Sequence, residues 1–353
     1  MYNKTIPIII PAYEPDEKLI KLLGELKNAD LNPVILVDDG SDKNTYGEIF
    51  DKAKSEYGAV VLRHAVNLGK GRALKNAFNY CLNEYPDLVG VITADSDGQH
   101  TTTDIRRVKD ELSEFSDSLV LGCRNFDESG IPARSVFGNK TTSKVMGFLT
   151  GVKVSDTQTG LRAIPSDFMK YLLNEKGERF DFETNMLLAA GNTGVPIRQV
   201  DIQTIYIEEN KSSHFRPIRD SIMIYAVFGK FVISSLSSSV IDMLMFALFC
   251  RLLRGAEGLF IGYIMLATIL ARLISATYNF MVNYKVVFKG KGSKIIAAAK
   301  YVMLALLIML LSGYGVTFLH GLWSTVPEVF IKIPVDTVLF LLSFVIQREF
   351  VYK

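Results

Sequence analysis

Cysteine is scarce. The 353 residues hold three, at Cys81, Cys123 and Cys250, with no C-x-x-C pair. That spacing excludes a disulfide framework and a thiolate zinc site, and it fits a reducing compartment. An excess of one charge is also missing: the formal net charge is +2. No dense Lys/Arg run lies outside the loops that flank the apolar stretches, so no nucleic-acid partner is expected. The opening MYNKTIPIIIPAY lacks an apolar core followed by a cleavage site. No signal peptide is therefore expected, and the first half is expected to stay in the cytoplasm. Two nucleotide signatures are absent as well. There is no G-x-x-x-x-G-K-[ST], and no G-x-G-x-x-G after the first predicted strand, which weighs against ATP-dependent and nicotinamide chemistry.

What is present divides near residue 220. Residues 1–215 carry most of the charge and read as an α/β domain, 216–230 as a joining helix, and 226–353 as a membrane domain. The mean hydropathy of +0.22 comes from that second half. Apolar strand-like runs at 7–10, 33–37, 59–63, 88–94 and 118–122 alternate with helical spacing over 17–27, 71–84 and 104–115. Strands apolar throughout, set between amphipathic helices, predict a mostly parallel sheet covered on both faces. In such sheets ligands gather beyond the carboxyl ends of the strands.

The chemistry-bearing residues sit at those ends. Ala94-Asp95-Ser96-Asp97-Gly98-Gln99-His100 follows the fourth predicted strand. Two carboxylates two residues apart can share a hard divalent cation, Mg2+ or Mn2+, with a diphosphate. Asp38-Asp39-Gly40-Ser41 reads either as a turn with a helix cap or as a carboxylate that accepts from a nucleobase or ribose. Pro11-Ala12-Tyr13-Glu14, ending the first strand, is placed to touch the same nucleoside. In Asn67-Leu68-Gly69-Lys70-Gly71-Arg72 the glycines admit a close backbone approach, and Lys70 and Arg72 bring positive charge to a helix start. Asp156, in Asp-Thr-Gln-Thr-Gly, reads as an orienting group for sugar or acceptor, or as a turn or cap carboxylate. Glu183, in Phe-Asp-Phe-Glu, reads as an acceptor for sugar hydroxyls or as a helix-start carboxylate.

In this order PAYEP, VDDGS, NLGKGRAL, ADSDGQH, GCRN and DTQTGLRA resemble glycosyltransferase family 2, and within it the dolichyl-phosphate mannose synthase and bactoprenol glucosyltransferase branch. The resemblance covers roughly residues 5–220. It implies a GT-A fold, Rossmann-like with a mostly parallel sheet. It also implies an inverting, single-displacement transfer of a hexose from a nucleotide-sugar to polyprenyl (undecaprenyl) phosphate, for modification of cell-envelope glycans. On that pattern Asp39 contacts the nucleoside, and Pro11, Tyr13, Glu14, Lys70, Asp95 and Gln99 complete the donor site. Asp95, Asp97 and Gln99 hold the metal. Asp97, Asp156 and Arg124 form the catalytic set, while Arg124, Arg134 and Arg216 face the acceptor phosphate. A phosphate monoester carries about −1.5 to −2 charge at pH 7, so it attacks without a general base and needs neutralisation and alignment. Lys140, Arg162 and His214 are further cationic candidates. UDP-glucose ranks first as donor and another UDP-sugar next; GDP-mannose stays open. A processive polysaccharide synthase would be expected to carry Q-x-x-R-W, yet the one tryptophan, Trp323, lies in His-Gly-Leu-Trp. The remaining alternative is a lipid-linked sugar flippase with a non-catalytic transferase-like domain, against which the intact Asp95/Asp97 pair counts.

Stretches at 226–250, 259–282 and 295–319 are long enough to cross roughly 30 Å of hydrocarbon, and 331–346, interrupted by Pro334 and Asp336, forms a fourth. Lys285, Lys289, Lys291 and Lys294 place the loop after the second span in the cytoplasm by the positive-inside rule. The expectation is a multi-pass cell-membrane protein with both termini and the catalytic domain cytoplasmic. Arg251 and Arg254, in an outer loop, dissent. Residues 225–353 resemble the GtrA-like four-span family through Arg272, Asn279-Phe280 and Asn283-Tyr284-Lys285-Val286-Val287-Phe288. Arg272, inside a span, is expected to pair with Asp242 or Asp336 or to meet a lipid phosphate. The stretch 216–230 reads as an interfacial helix or a plain linker, and a homo-oligomer stays open.

Overall fold

A computed structural model describes residues 5–126, 133–203, 217–253, 263–288, 290, 293–323, 325–326 and 328–352. Among these, the side chains at 133–135, 137, 149, 217–227, 263–265, 328–329 and 332 stand outside the description. The side chain of Arg134, and the whole of His214, Arg216, Arg254, Lys289 and Lys291, lie outside the described residues. The chain forms two units, Met1–Ile222 and Met223–Lys353.

The first unit is built on seven strands: β1 (Ile8–Ala12), β2 (Val34–Asp38), β3 (Val60–Arg63), β4 (Gly90–Thr93), β5 (Leu119–Arg124), β6 (Arg162–Pro165) and β7 (Ile197–Ile202). Their order is β3-β2-β1-β4-β6-β5-β7. All neighbours pair parallel except β6, which runs antiparallel to both β4 and β5. This is the α/β arrangement with a mostly parallel sheet that the sequence pattern leads one to expect. Ile8, Ile9 and Ile10 are all fully buried, as a strand must be when both sheet faces are covered. The helices are α1 (Glu17–Asn28), α2 (Lys43–Tyr57), α3 (Lys70–Glu84), α4 (Thr102–Glu114), α5 (Ala133–Thr150), α6 (Ser166–Leu172) and α7 (Asp181–Thr193). α1 shows why they form. Asp16 caps its first turn through a bond from the Lys18 amide, and Leu19, Leu22, Leu23 and Leu26 bury one face. Asp42 and Thr101 cap α2 and α4 in the same way.

The second unit has four long helices. α8 (Pro217–Leu253) runs unbroken through the expected joining segment into the first apolar stretch, followed by α9 (Tyr263–Val282), α10 (Lys294–Leu322) and α11 (Glu328–Ile346). π-helical turns follow α9 and α11, at Asn283–Val287 and Gln347–Val351. Among the described residues, two helices are long and apolar enough on their own to cross a membrane: Phe228–Leu253, with mean hydropathy 1.8, and Lys294–Leu322, with 2.3. The exposure pattern is inverted relative to a water-soluble bundle. Met243, Ile295, Met309 and Phe330 are exposed, whereas Ser234, Ser275, Asn283 and Gln347 are buried. Polar groups inside and apolar groups outside is the arrangement a hydrocarbon solvent selects.

Candidate active site

The carboxyl ends of β1, β2 and β4 carry the predicted residues. At β2, Asp38 accepts from the Ser41 amide and pairs with Arg63 at 2.6 Å. Asp39 is buried, and both its oxygens are engaged: Oδ1 accepts from the Leu68 amide at 2.9 Å and Oδ2 from the Gly69 amide at 2.8 Å. His64 Nδ1 lies 2.7 Å from Asp39 Oδ1, and Asn76 Nδ2 lies 2.8 Å from His64 Nε2. The amide of Asn76 donates, so the ring proton sits on Nδ1 and points at Asp39. Asp39 therefore ties β2 to the loop that presents Lys70. Pro11 is buried within β1, Tyr13 is exposed, and the Glu14 amide donates to Ser41 Oγ at 2.9 Å. A hydrogen bond to Glu14, with its charge, raises the Tyr13 phenol above its usual range.

Gly69 has φ 102°, and a Cβ there would lie 2.5 Å from the Glu178 carbonyl oxygen. The bare backbone lets the start of α3 press against the segment before α7. That contact brings Glu183 to Lys70. Lys70 Nζ stands 2.6 Å from Asp95 Oδ1 and 2.9 Å from Glu183 Oε1. Burial alone would lower the Lys70 ammonium, but the two carboxylates hold it above its usual range. Burial would likewise raise Asp95, but Lys70 and His100 carry it well below the ordinary carboxylate range. On Asp97 the pull of Lys70 and His100 is weaker and is outweighed. Burial and the Asp95 charge push it upward, while Oδ1 accepts from the Gln99 amide at 3.0 Å.

β6 supplies the far wall. A Cβ on Gly160 would lie 2.2 Å from Asp95 Oδ2, so only glycine admits that carboxylate. Arg162 is fully buried; Nε donates to the Thr159 carbonyl and Nη1 to the Glu183 carbonyl, while Nη2 has no hydrogen-bond partner. Burial lowers this guanidinium against the pull of Glu183, Asp156 and Asp95 around it. Asp156, also fully buried, grips Arg124 with two bonds, 2.7 Å to Nε and 3.2 Å to Nη2. Its role is thus to orient Arg124, whose guanidinium also lies 5.2 Å from the Phe126 ring centroid. Lys140 is exposed on α5.

The donor set fits a hard divalent cation. Among the described residues no three His, Cys, Asp or Glu groups form a metal cage. Mg2+ and Mn2+ need none where one or two carboxylates join substrate phosphates and water. Asp95 and Asp97 offer that open edge, and the charge burden on Asp97 is what such a cation relieves. Beside them both ring nitrogens of buried His100 lack a hydrogen-bond partner, with Nε2 3.7 Å from Asp95 Oδ2.

Lys70, Asp95, Asp97, Gln99 and Asp39 thus share one strand-end edge, and Arg124 and Asp156 form a second, adjoining pair. The sequence reading did not weigh His64, His100 or Gly160. The glycine before an Arg-bearing strand in DTQTGLRA was the available signal for the last.

Comparison with known proteins agrees with this geometry. Residues 8–168 match the model of glycosyl transferase family 2, and residues 230–352 match the GtrA/DPMS transmembrane domain. An uncharacterised protein of Methanocaldococcus jannaschii is 31% identical over 58% of this chain and 83% of its own. A UDP-N-acetylglucosamine–dolichyl-phosphate N-acetylglucosaminyltransferase of Methanococcus voltae is 30% identical, covering 59% and 88%. A polyprenol monophosphomannose synthase of Mycolicibacterium smegmatis is 27% identical, covering 55% and 75%. With these two domain matches in chain order and a 30% identical transferase covered over 88% of its length, the chain belongs to glycosyl transferase family 2 and carries a GtrA/DPMS transmembrane domain.

Proposed function

We propose that the chain transfers a hexose, with inversion, from a nucleotide-sugar to a polyprenyl phosphate at the cytoplasmic membrane face. The observation that carries this reading is the Asp95–Asp97 edge at the end of β4, flanked by Lys70 and by the Arg124–Asp156 pair. Two of these relatives, by their names, act on dolichyl phosphate or make a polyprenol monophosphate sugar, which supports a lipid phosphate acceptor. A UDP-sugar is the proposed donor, glucose or N-acetylglucosamine foremost.

Asp95, Asp97 and Gln99 would hold the cation with the diphosphate. When bound, that ion offsets the charge developing on the leaving nucleotide. The chain's own residues do the rest. Arg124, locked by Asp156, presents a fixed fork to the acceptor phosphate, and two aligned N–H groups bind such an anion better than a mobile ammonium. The acceptor anion is itself the nucleophile, so no proton leaves it and no side chain acts as base. Asp39 fixes the 68–70 loop from below.

Purified full-length protein is incubated with undecaprenyl phosphate and a panel of UDP- and GDP-sugars, with Mg2+, Mn2+ or EDTA. One donor is consumed, EDTA stops the reaction, and Asp97→Ala abolishes it. Full turnover by that variant would remove the cation assignment; no consumption of any donor would remove the transferase reading.

A further inference from the structure

The cation edge already holds a cation of the chain's own. Lys70 Nζ sits on Asp95 Oδ1 at 2.6 Å, and its other contact, Glu183 Oε1, is 2.9 Å away. Both Lys70 and Glu183 are mostly buried, whereas the Asp95 side chain is about a third exposed, 32%, toward the open edge. Asp95 packs closely against the bare backbone of Gly160, on the side of Oδ2. Below, Arg162 supplies a second buried positive charge beside Glu183. The carboxylates of Asp95 and Glu183 thus already share the Lys70 ammonium, with the Arg162 guanidinium near both. Adding a divalent ion alone would bring it against Lys70 at close range, a strong repulsion in a partly desolvated site. Adding it together with a nucleotide diphosphate leaves the local charge nearly unchanged.

We infer that Lys70 is a resident counter-ion occupying the Asp95 coordination position in the donor-free protein, and that it moves onto the incoming diphosphate when cation and nucleotide enter together. This rests on the functional reading above and adds an order to it: the cation is accepted as part of the nucleotide complex and resisted when alone. Glu183 is the second anchor that lets Lys70 leave Asp95 without losing its last carboxylate. On this account Glu183 is a positioning residue, while Lys70 itself contacts the diphosphate.

The test reads cation binding directly, with no turnover. Free Mn2+ is followed by electron paramagnetic resonance in titrations of detergent-solubilised full-length protein, with and without UDP or GDP. Without nucleotide, Lys70→Met tightens Mn2+ binding by about tenfold or more, because a competing unit charge is gone. Glu183→Gln shifts it the opposite way, since Lys70 then has Asp95 as its one carboxylate. With the accepted nucleotide the order reverses, and Lys70→Met binds the Mn2+–nucleotide complex more weakly than wild type. Unchanged or weaker nucleotide-free binding in Lys70→Met overturns the inference, and so does tighter binding in Glu183→Gln. Each variant carries its own sign, so a folding failure in one leaves the other decisive. If wild type binds Mn2+ in neither condition, the cation reading falls together with the inference. If it binds only with nucleotide and the variants do not differ, the inference alone falls.

Discussion

Arg124 is held by a carboxylate that has no exposure to water, and the two ends of that pair fail differently when changed. Asp156→Asn keeps the shape but strips the charge that fixes the guanidinium, leaving a partly buried cation uncompensated. A one-sided break of this kind costs roughly 3 kcal/mol, here reduced because Arg124 keeps 21% side-chain exposure. The expected outcome is a lower melting temperature together with at least a hundredfold loss of lipid glycosylation. Arg124→Lys retains charge and loses the fork, so it should raise the KM for polyprenyl phosphate more than it lowers the melting temperature. Burial controls the cysteines too. It pushes the Cys81 thiol up to about 12 and Cys123 up to about 11. Since the thiolate is the reactive form, neither should be alkylated by maleimide in native protein at pH 8, as intact-mass spectrometry would show. At this scale a D-x-D alone reads equally as a turn; what singled out Asp95 and Asp97 was their place after the fourth apolar run, with Asp38 and Asp39 ending the second. The engagement of Asp39 with the loop amides and the gripping of Arg124 by Asp156 were not. Each depends on partners distant in the chain, and spacing carries no information about such contacts.

Among the elements, β6 decides the site. It enters the sheet antiparallel between β4 and β5, pairing Thr93 with Arg162 and Leu121 with Arg162 on its two sides. That insertion places Gly160 behind Asp95 and sets Asp156 against Arg124. Gly160→Ala puts a methyl carbon 2.2 Å from Asp95 Oδ2 and 2.7 Å from its Cγ. Overpacking costs about 1–3 kcal/mol, and the carboxylate is the mobile party, so the cation edge is displaced. The prediction is a near-complete loss of Mn2+–nucleotide binding with far-UV circular dichroism unchanged; retained binding would show that Asp95 can be moved without consequence. β6 escaped the sequence reading for a physical reason. It has four residues, opens on a buried arginine and ends on a proline, so it shows neither an alternating nor a continuous apolar pattern. The first five strands, apolar over most of their lengths, were readable, and their structural bounds fall close to the expected ones.

In the whole molecule two solvents have sorted the residues. The first unit buries its isoleucines and leucines; the second exposes Ile295, Met243 and Phe330 and buries an amide knot. In that knot Asn283 donates to Asn279 Oδ1 at 3.0 Å and to Gln347 Oε1 at 3.2 Å, and Tyr301 donates to Asn279 Oδ1 at 3.0 Å. Arg272 pairs with Asp242 at 3.4 Å, while Asp336 takes a bond from Ser312 Oγ at 2.5 Å, so the structure selects between the two partners expected for the arginine. Composition alone revealed the apolar stretches. Which polar residues turn inward depends on helix rotation, and the flat, all-round hydrophobicity of α10 gives no such signal. At about 1.5 Å per residue, the 29 residues of α10 exceed the roughly 30 Å of hydrocarbon, so its two ends must lie in opposite aqueous phases if it spans upright. If the basic start near Lys294 lies inside, as the positive-inside rule expects, then Trp323, exposed at the other end, lies outside. With Cys250→Ser as background, the two buried thiols of the first unit stay silent and single cysteines report alone. An impermeant maleimide added to intact cells should label Trp323→Cys at once, and Gly290→Cys only after permeabilisation. Labelling of both from outside would break the expected topology. Labelling of Gly290→Cys alone from outside would invert it.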